Sequence, residues 1–209
     1  ATSPELSSGF EFPSPWNLPA TSDPATTGFS SMALKISSSQ TTATPEKLYW
    51  IDRSTNNVMS SSLDGSSAGT VLTTLTVPYA IAVDSYNDKI IVNDNNGAGA
   101  IYIADLDGGS IQTIDAAAGT IYGMCHDDTC QRLTVAKYDI GEIVGYDTDA
   151  AFPVVGTTLV NNLSTDVGQP IYLTVSPTIH MGDTSNGTIY WTQTTGNLET
   201  QPTVKIRKA

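Results

Sequence analysis

The chain is 209 residues long and carries nine basic against 21 acidic side chains, for a formal net charge of -12 and a pI near 4.2, which leaves room for one domain or one domain plus a tail. Only 14% of residues are charged while Ser and Thr fill about a quarter of the chain, so the surface is hydroxyl-rich rather than ion-rich. So few cations cannot release counterions from a phosphate backbone, which excludes nucleic acid and anionic membrane surfaces as partners, and no run of about 18 apolar residues exists to give a membrane span.

Residues 1–46 are rich in Ser, Thr and Pro, with Pro4, Pro13, Pro15, Pro19, Pro24 and Pro45 breaking any helical period. Phe10-Glu-Phe12 and Met32-Ala-Leu-Lys-Ile36 nevertheless alternate apolar and polar as half-buried strands do. The segment is therefore read as irregular but docked. Its opening Ala1-Thr-Ser-Pro4 has neither a basic start nor an apolar core, which on a secretory reading makes this a mature form.

From residue 47 to 209 the sequence repeats. Lys47-Leu-Tyr-Trp-Ile-Asp52 aligns with Lys89-Ile-Ile-Val-Asn-Asp94, and Leu63-Asp-Gly65 with Leu106-Asp-Gly108. Pro78-Tyr-Ala-Ile-Ala-Val-Asp84 aligns with Ile121-Tyr-Gly-Met-Cys-His-Asp127, and a fourth unit runs through Pro170-Ile-Tyr-Leu-Thr-Val175, Thr188-Ile-Tyr-Trp-Thr-Gln193 and Val204-Lys-Ile-Arg-Lys208. A period of about 43 residues, built of short alternating runs and polar turns, is that of a propeller blade of four antiparallel strands. In the second unit the strands are Ala80 to Asp84, Lys89 to Asn93, Ala100 to Asp105 and Ser110 to Ile114. The expectation is an all-β, propeller-like array of about four four-stranded blades. The last unit stops after its third strand, leaving an unfilled sheet edge. The candidate strand to close it is Phe10-Glu-Phe12; a second chain completing the array, or a longer propeller, are the alternatives. The cations Lys205, Arg207 and Lys208 in that last strand are expected to face an acidic surface.

Cys125 and Cys130 are spaced wrongly for a redox pair and too few for structural zinc; a short disulfide loop across a hairpin turn is expected. Asn162-Leu-Ser and Asn186-Gly-Thr are glycosylation sequons compatible with secretion.

The first two units, Lys47-Leu-Tyr-Trp-Ile-Asp52 through Leu63-Asp-Gly65 and Val77-Pro-Tyr-Ala-Ile-Ala-Val-Asp84, together with Ile189-Tyr-Trp-Thr192, resemble the YWTD repeats, also called low-density-lipoprotein-receptor class B repeats. The resemblance implies an extracellular, non-enzymatic propeller, closed with six blades in that family, that binds protein partners on one face. It covers about residues 47 to 209, and here there are about four units.

Gly65-Ser-Ser-Ala-Gly69 matches the spacing of a nucleophile elbow, but it follows a strand and leads into another strand, so it is a turn. His126 and His180 have no sequence neighbour completing a catalytic pair or metal site and are read as surface imidazoles. Asp105-Leu-Asp107-Gly and Asp94-Asn-Asn-Gly97 offer oxygens to calcium but lack the full ligand set, so no cofactor is expected, calcium being the weak exception. Trp50 and Trp191 are read as blade core. Tyr79, Tyr122 and Tyr172 recur at the start of the innermost strand, and the loops carrying Arg53, Asn95, Asn96, Tyr138 and Asn197 fall at the same end. Amides, hydroxyls and aromatic rings with few charges suit recognition of a protein or a carbohydrate; packing of the tyrosines between blades is the structural alternative. The reading is a secreted binding protein, lectin-like or scaffold-like. A lactonase-type propeller hydrolase with a channel metal and a homo-oligomer assembling through the unfilled edge are the competing classes.

Overall fold

In a computed structural model, the backbone is described for residues 29–35, 46–161, 169–176, 188–195 and 203–208, with side chains for 46–161 and Ile189. These residues form four antiparallel sheets and contain no helix long and apolar enough to cross a membrane. The first sheet holds β1 (Phe29–Lys35), β2 (Lys47–Asp52), β3 (Asn57–Ser62) and β4 (Gly69–Leu72) in that order. The second holds β5 (Pro78–Asp84), β6 (Lys89–Asp94), β7 (Ala100–Asp105) and β8 (Gln112–Asp115). The third holds β9 (Ile121–Asp127), β10 (Arg132–Lys137), β11 (Glu142–Asp147) and β12 (Thr157–Val160), and the fourth β13 (Gln169–Ser176), β14 (Thr188–Thr195) and β15 (Thr203–Lys208). The first strands of successive sheets pack on one another, β1 on β5, β5 on β9 and β9 on β13, which is the arrangement of propeller blades around an axis.

The first blade does not begin at residue 47. Lys47–Asp52 is its second strand, and the inner strand is β1, paired with β2 from Phe29 opposite Asp52 to Lys35 opposite Lys47. A boundary at 46 thus cuts through a sheet. Phe10 to Phe12, the candidate closing strand, lie outside the described residues, as do His180, Asn162, Asn186 and Asn197.

Blades pack face to face, so a middle strand has no solvent side. In β6, Ile90 and Val92 enter the core shared with the first blade, beside Tyr49, Ile51 and Val58, while Ile91 enters the core shared with the third, beside Ile121, Leu133 and Val135. A period of two with both faces buried explains why Ile90-Ile-Val92 reads as an unbroken apolar run. The turns 53–56, 85–88, 128–131 and 138–141 between consecutive strands are four residues long, and Asn56, Asp88 and Gln131 end the first three with φ of 56°, 55° and 49°. Short polar side chains tolerate this left-handed region best.

Two corrections concern the third blade and its relatives. There is no disulfide: Cys125 lies within β9 opposite Thr134, whereas Cys130 lies in the turn after β9, its thiol hydrogen-bonded to the Asp127 carboxylate. Burial, then the Asp127 charge and that hydrogen bond, push the Cys130 thiol up. Trp50 is only half-buried; its neighbour Tyr49 is the fully buried ring, donating its hydroxyl to the Leu106 carbonyl of the next blade at 3.5 Å.

Burial, reinforced by Asp88 and Asp107, raises the Tyr49 hydroxyl to about 12, and burial with the Asp115 carboxylate raises Tyr146 further. Both folded values exceed the ordinary tyrosine value of about 10, so the stability these neutral phenols confer is complete below pH ~10 and is lost as pH rises through the folded values. Urea unfolding as a function of pH is expected to show stability falling above pH ~10, with a shallower fall in Tyr146→Phe. An unchanged slope in that variant would contradict the assignment.

Candidate functional site

Strand direction places the loops 53–56, 95–99 and 138–141 and the connections leading into β5 and β9 at one end of the blades, called the upper end. There Tyr79, Tyr122 and Tyr138, one from the start of β5, one from the start of β9 and one from the loop after β10, form a continuous stripe. The Tyr79 and Tyr122 ring centroids are 4.6 Å apart at 64°, and those of Tyr122 and Tyr138 are 4.9 Å apart at 68°. Edge-to-face contacts of this kind fix each ring against the next. The Arg53 guanidinium lies over the Tyr79 ring, 4.6 Å from its centroid, and extends the stripe to the first blade. All four side chains are half-buried. Partial burial, then the phenols of Tyr79 and Tyr138, hold the Tyr122 hydroxyl above the ordinary tyrosine value, with Arg53 acting the opposite way.

The backbone under the stripe is pinned by side-chain amides and a carboxylate. Asn93, fully buried in β6, accepts the Ala80 N–H at 2.6 Å and donates to the Ile121 carbonyl at 3.2 Å, so one residue holds the neighbours of both Tyr79 and Tyr122. Asn95 accepts the Ile121 N–H and donates to the Ile121 carbonyl, each at 2.9 Å. Asp94 accepts the Thr76 and Val77 N–H groups at 2.8 and 2.7 Å, setting the approach to Tyr79. The Tyr138 N–H donates to the Thr120 carbonyl at 2.8 Å.

Of the residues singled out from sequence, Arg53, Tyr79, Tyr122 and Tyr138 therefore come together. Asn95 sits beneath them with both amide atoms engaged, and Asn96 is exposed on the same loop. Tyr172 lies in β13, where only the backbone is described, and Asn197 lies outside the described residues. Asn93 was missed by sequence reasoning. It closes the apolar run Ile90 to Val92, where an amide reads as the start of a turn.

At the opposite end, His126 overturns the surface reading: its side chain is wholly buried, as is that of Asp84. His126 Nδ1 is 2.8 Å from Asp128 Oδ1, Nε2 is 2.9 Å from Thr148 Oγ1, and Nε2 is 3.9 Å from Asp84 Oδ2. Asp84 accepts the Tyr86 and Asn87 N–H groups at 3.1 and 3.0 Å and the Asn87 amide at 2.9 Å. Asn87 also donates to Gln131 at 2.7 Å, and the Ser85 N–H donates to Asp128 at 3.1 Å. Asp84, His126 and Asp128 present ligand atoms within 4.8 Å of one another, a spacing a metal could use. Both ring nitrogens are already engaged, so the geometry is that of a clasp joining the second and third blades.

Residues 46–85 match the family model described as low-density lipoprotein receptor repeat class B. No curated protein matches the chain. Among solved structures, the chain is similar to one from a nidogen/laminin complex, at 19% identity and a TM-score of 0.65, covering 80% of this chain and 57% of that one. It is also similar to the Kuenenia stuttgartiensis hydrazine synthase, at 15% identity and a TM-score of 0.60, over 86% of this chain and 45% of that one. A third likeness, to the tricorn protease, has 15% identity and a TM-score of 0.54 over 78% of this chain and 14% of that one. The chain thus spans at most 57% of these proteins. They share a fold, and a shared fold does not fix the site it carries. Residues 46–85 are thus similar to a low-density lipoprotein receptor class B repeat, and the chain shares the β-propeller fold of these structures.

Proposed function

We propose that this is a secreted, non-catalytic binding protein that takes a protein partner on the upper face through Arg53, Tyr79, Tyr122 and Tyr138. The observation that carries the reading is the stripe itself. Three rings from two blades lock edge to face, and Arg53 from a third stacks on their end with no carboxylate pairing to it among the described residues. Packed tyrosines present a large contact area whose conformational freedom has already been lost, which favours association. In a chain of net charge -12, an Arg with no carboxylate partner among the described residues offers a bidentate donor to a partner's acidic or carbonyl groups. The repeat family and the likeness to a chain crystallised in a complex of two proteins support a protein partner over a small substrate.

The test is affinity capture from the extracellular fluid of the source, followed by titration of each captured protein against wild type and Tyr122→Ala. Removing the middle ring is expected to weaken the specific partner by about 2 kcal/mol, roughly 30-fold, with the circular dichroism spectrum retained. Equal affinity of every captured protein for wild type, Tyr122→Ala and Arg53→Ala would refute the stripe as the binding face. Secretion is tested separately by fractionation, and a protein confined to the cell interior would refute it.

A further inference from the structure

On the flank between the second and third blades lies a groove of about 430 Å³ that the tyrosine face does not use. Ile114 and Asp115 of β8 form one wall, Val144 and Tyr146 of β11 the floor, and the segment 153–156 the other wall, with Lys137 and Glu142 reaching in from the ends of β10 and β11. Its volume lies in the range of about 300–1,000 Å³ common to small-molecule sites.

The polar groups in it are incompletely matched. Lys137 has a side chain only 13% exposed, yet its ammonium is 3.8 Å from Asp115 Oδ2, beyond hydrogen-bond reach, and has no closer acceptor among the described residues. Its partners among the described residues are that carboxylate and the Tyr146 ring, 5.7 Å from the ammonium, so a nearly buried group keeps N–H donors that hydrogen-bond no described residue, which is costly unless something accepts from it. Asp115 cannot swing over to do so: one oxygen accepts the Ala117 N–H at 2.8 Å and the other the Tyr146 hydroxyl at 2.7 Å. Glu142, a second acceptor-only group, takes the Thr158 hydroxyl at 3.3 Å.

We propose that this groove binds a neutral sugar residue. The group that fits between Lys137 and Asp115 must accept from an ammonium and donate to a carboxylate, and a hydroxyl does both. A carboxylate or phosphate ligand would meet Asp115 and Glu142, and a cationic ligand would meet Lys137. A pyranose ring instead presents several hydroxyls at its edge, for Lys137, Asp115 and Glu142, and a C–H face for Val144, Val154 and Pro153. Water alone could bridge Lys137 and Asp115 but would leave those apolar walls wet.

The probes are the methyl glycosides of glucose, galactose, mannose and N-acetylglucosamine, titrated into the whole chain by saturation-transfer NMR and calorimetry. At least one is expected to bind in the millimolar range, to weaken about tenfold or more in Lys137→Met, which keeps the apolar stem, and to bind normally in Tyr122→Ala. If Lys137→Met fails to fold by near-ultraviolet circular dichroism, Glu142→Gln is read instead for the same weakening. Absence of binding by all four glycosides, equal binding in the folded groove variant, or preferential binding of acetate would each overturn the proposal. A glycan carrying the preferred sugar at its end should then bind at least as well as the glycoside, and a glycan that fails to bind would overturn the groove's accessibility to it.

Discussion

Gly108→Ala is expected to destabilise the protein by ~3 kcal/mol or more, and Gly65→Ala by only about 1–2 kcal/mol, although the two glycines occupy the same place in the repeat. Both follow Leu-Asp, and both have left-handed backbones, with φ of 79° at Gly65 and 89° at Gly108. The intrinsic strain of an alanine is therefore similar at each. The difference is what the new methyl group meets. At Gly108 a Cβ would lie 2.0 Å from the Val71 carbonyl oxygen of the preceding blade, whereas at Gly65 it would meet nothing within 4 Å. Backbone against backbone cannot give by a rotamer change, so the turn at Gly108 has to lift off β4, and with it the packing of Tyr49 and Leu106 at the same joint. Urea denaturation of the two variants measures this directly. Equal losses would mean that the first two blades are not in tight backbone contact at that turn.

The pair also shows where the sequence was legible. The recurrence of Leu-Asp-Gly located the turns correctly, because a repeated φ requirement leaves the same residue at each position. It could not distinguish a glycine kept for its backbone angle from one that also admits a neighbouring blade, since the neighbour is some 37 residues away in the chain. The tyrosines followed the same logic. Tyr79 and Tyr122 fall at equivalent strand starts, so the repeat brings them to one end, and Arg53 and Tyr138 join them because loops at one end of a propeller converge. Their pins, Asn93 and Asp94, were invisible as such, because an Asn-Asp pair at a strand end reads as a turn former. Met32 to Ile36 was read as strand-like and overlaps β1, but its place as the inner strand of the first blade was missed for a different reason. The repeat motif begins on a second strand, and the stretch 36–46 between β1 and β2 is longer than the four-residue turns at the same place in the second and third blades. His126 was misread because burial depends on Asp84 from one blade and Thr148 from a distant loop, neither adjacent in sequence.

That clasp gives the second large effect. Asp84→Ala is expected to cost about 3–5 kcal/mol, because it removes a buried acceptor and leaves several donors unsatisfied at once. The carboxylate is completely buried and accepts three hydrogen bonds, from two turn N–H groups and the Asn87 amide. With alanine those donors lose their acceptor inside the protein, and His126 loses the carboxylate oxygen 3.9 Å from Nε2. Asp84→Asn separates geometry from charge. Its carbonyl can still accept from the Tyr86 and Asn87 backbone, but its NH₂ then faces the Asn87 NH₂ and the imidazole, so a smaller loss of about 1–3 kcal/mol is expected. His126→Gln tests the other side of the pair. If Asp84 and His126 act together, the double variant Asp84→Asn/His126→Gln should lose less than the sum of the two single losses. Strict additivity would show that Asp84 acts only as an acceptor for its own turn, leaving Ser85 to Asp128 and Asn87 to Gln131 to join the blades.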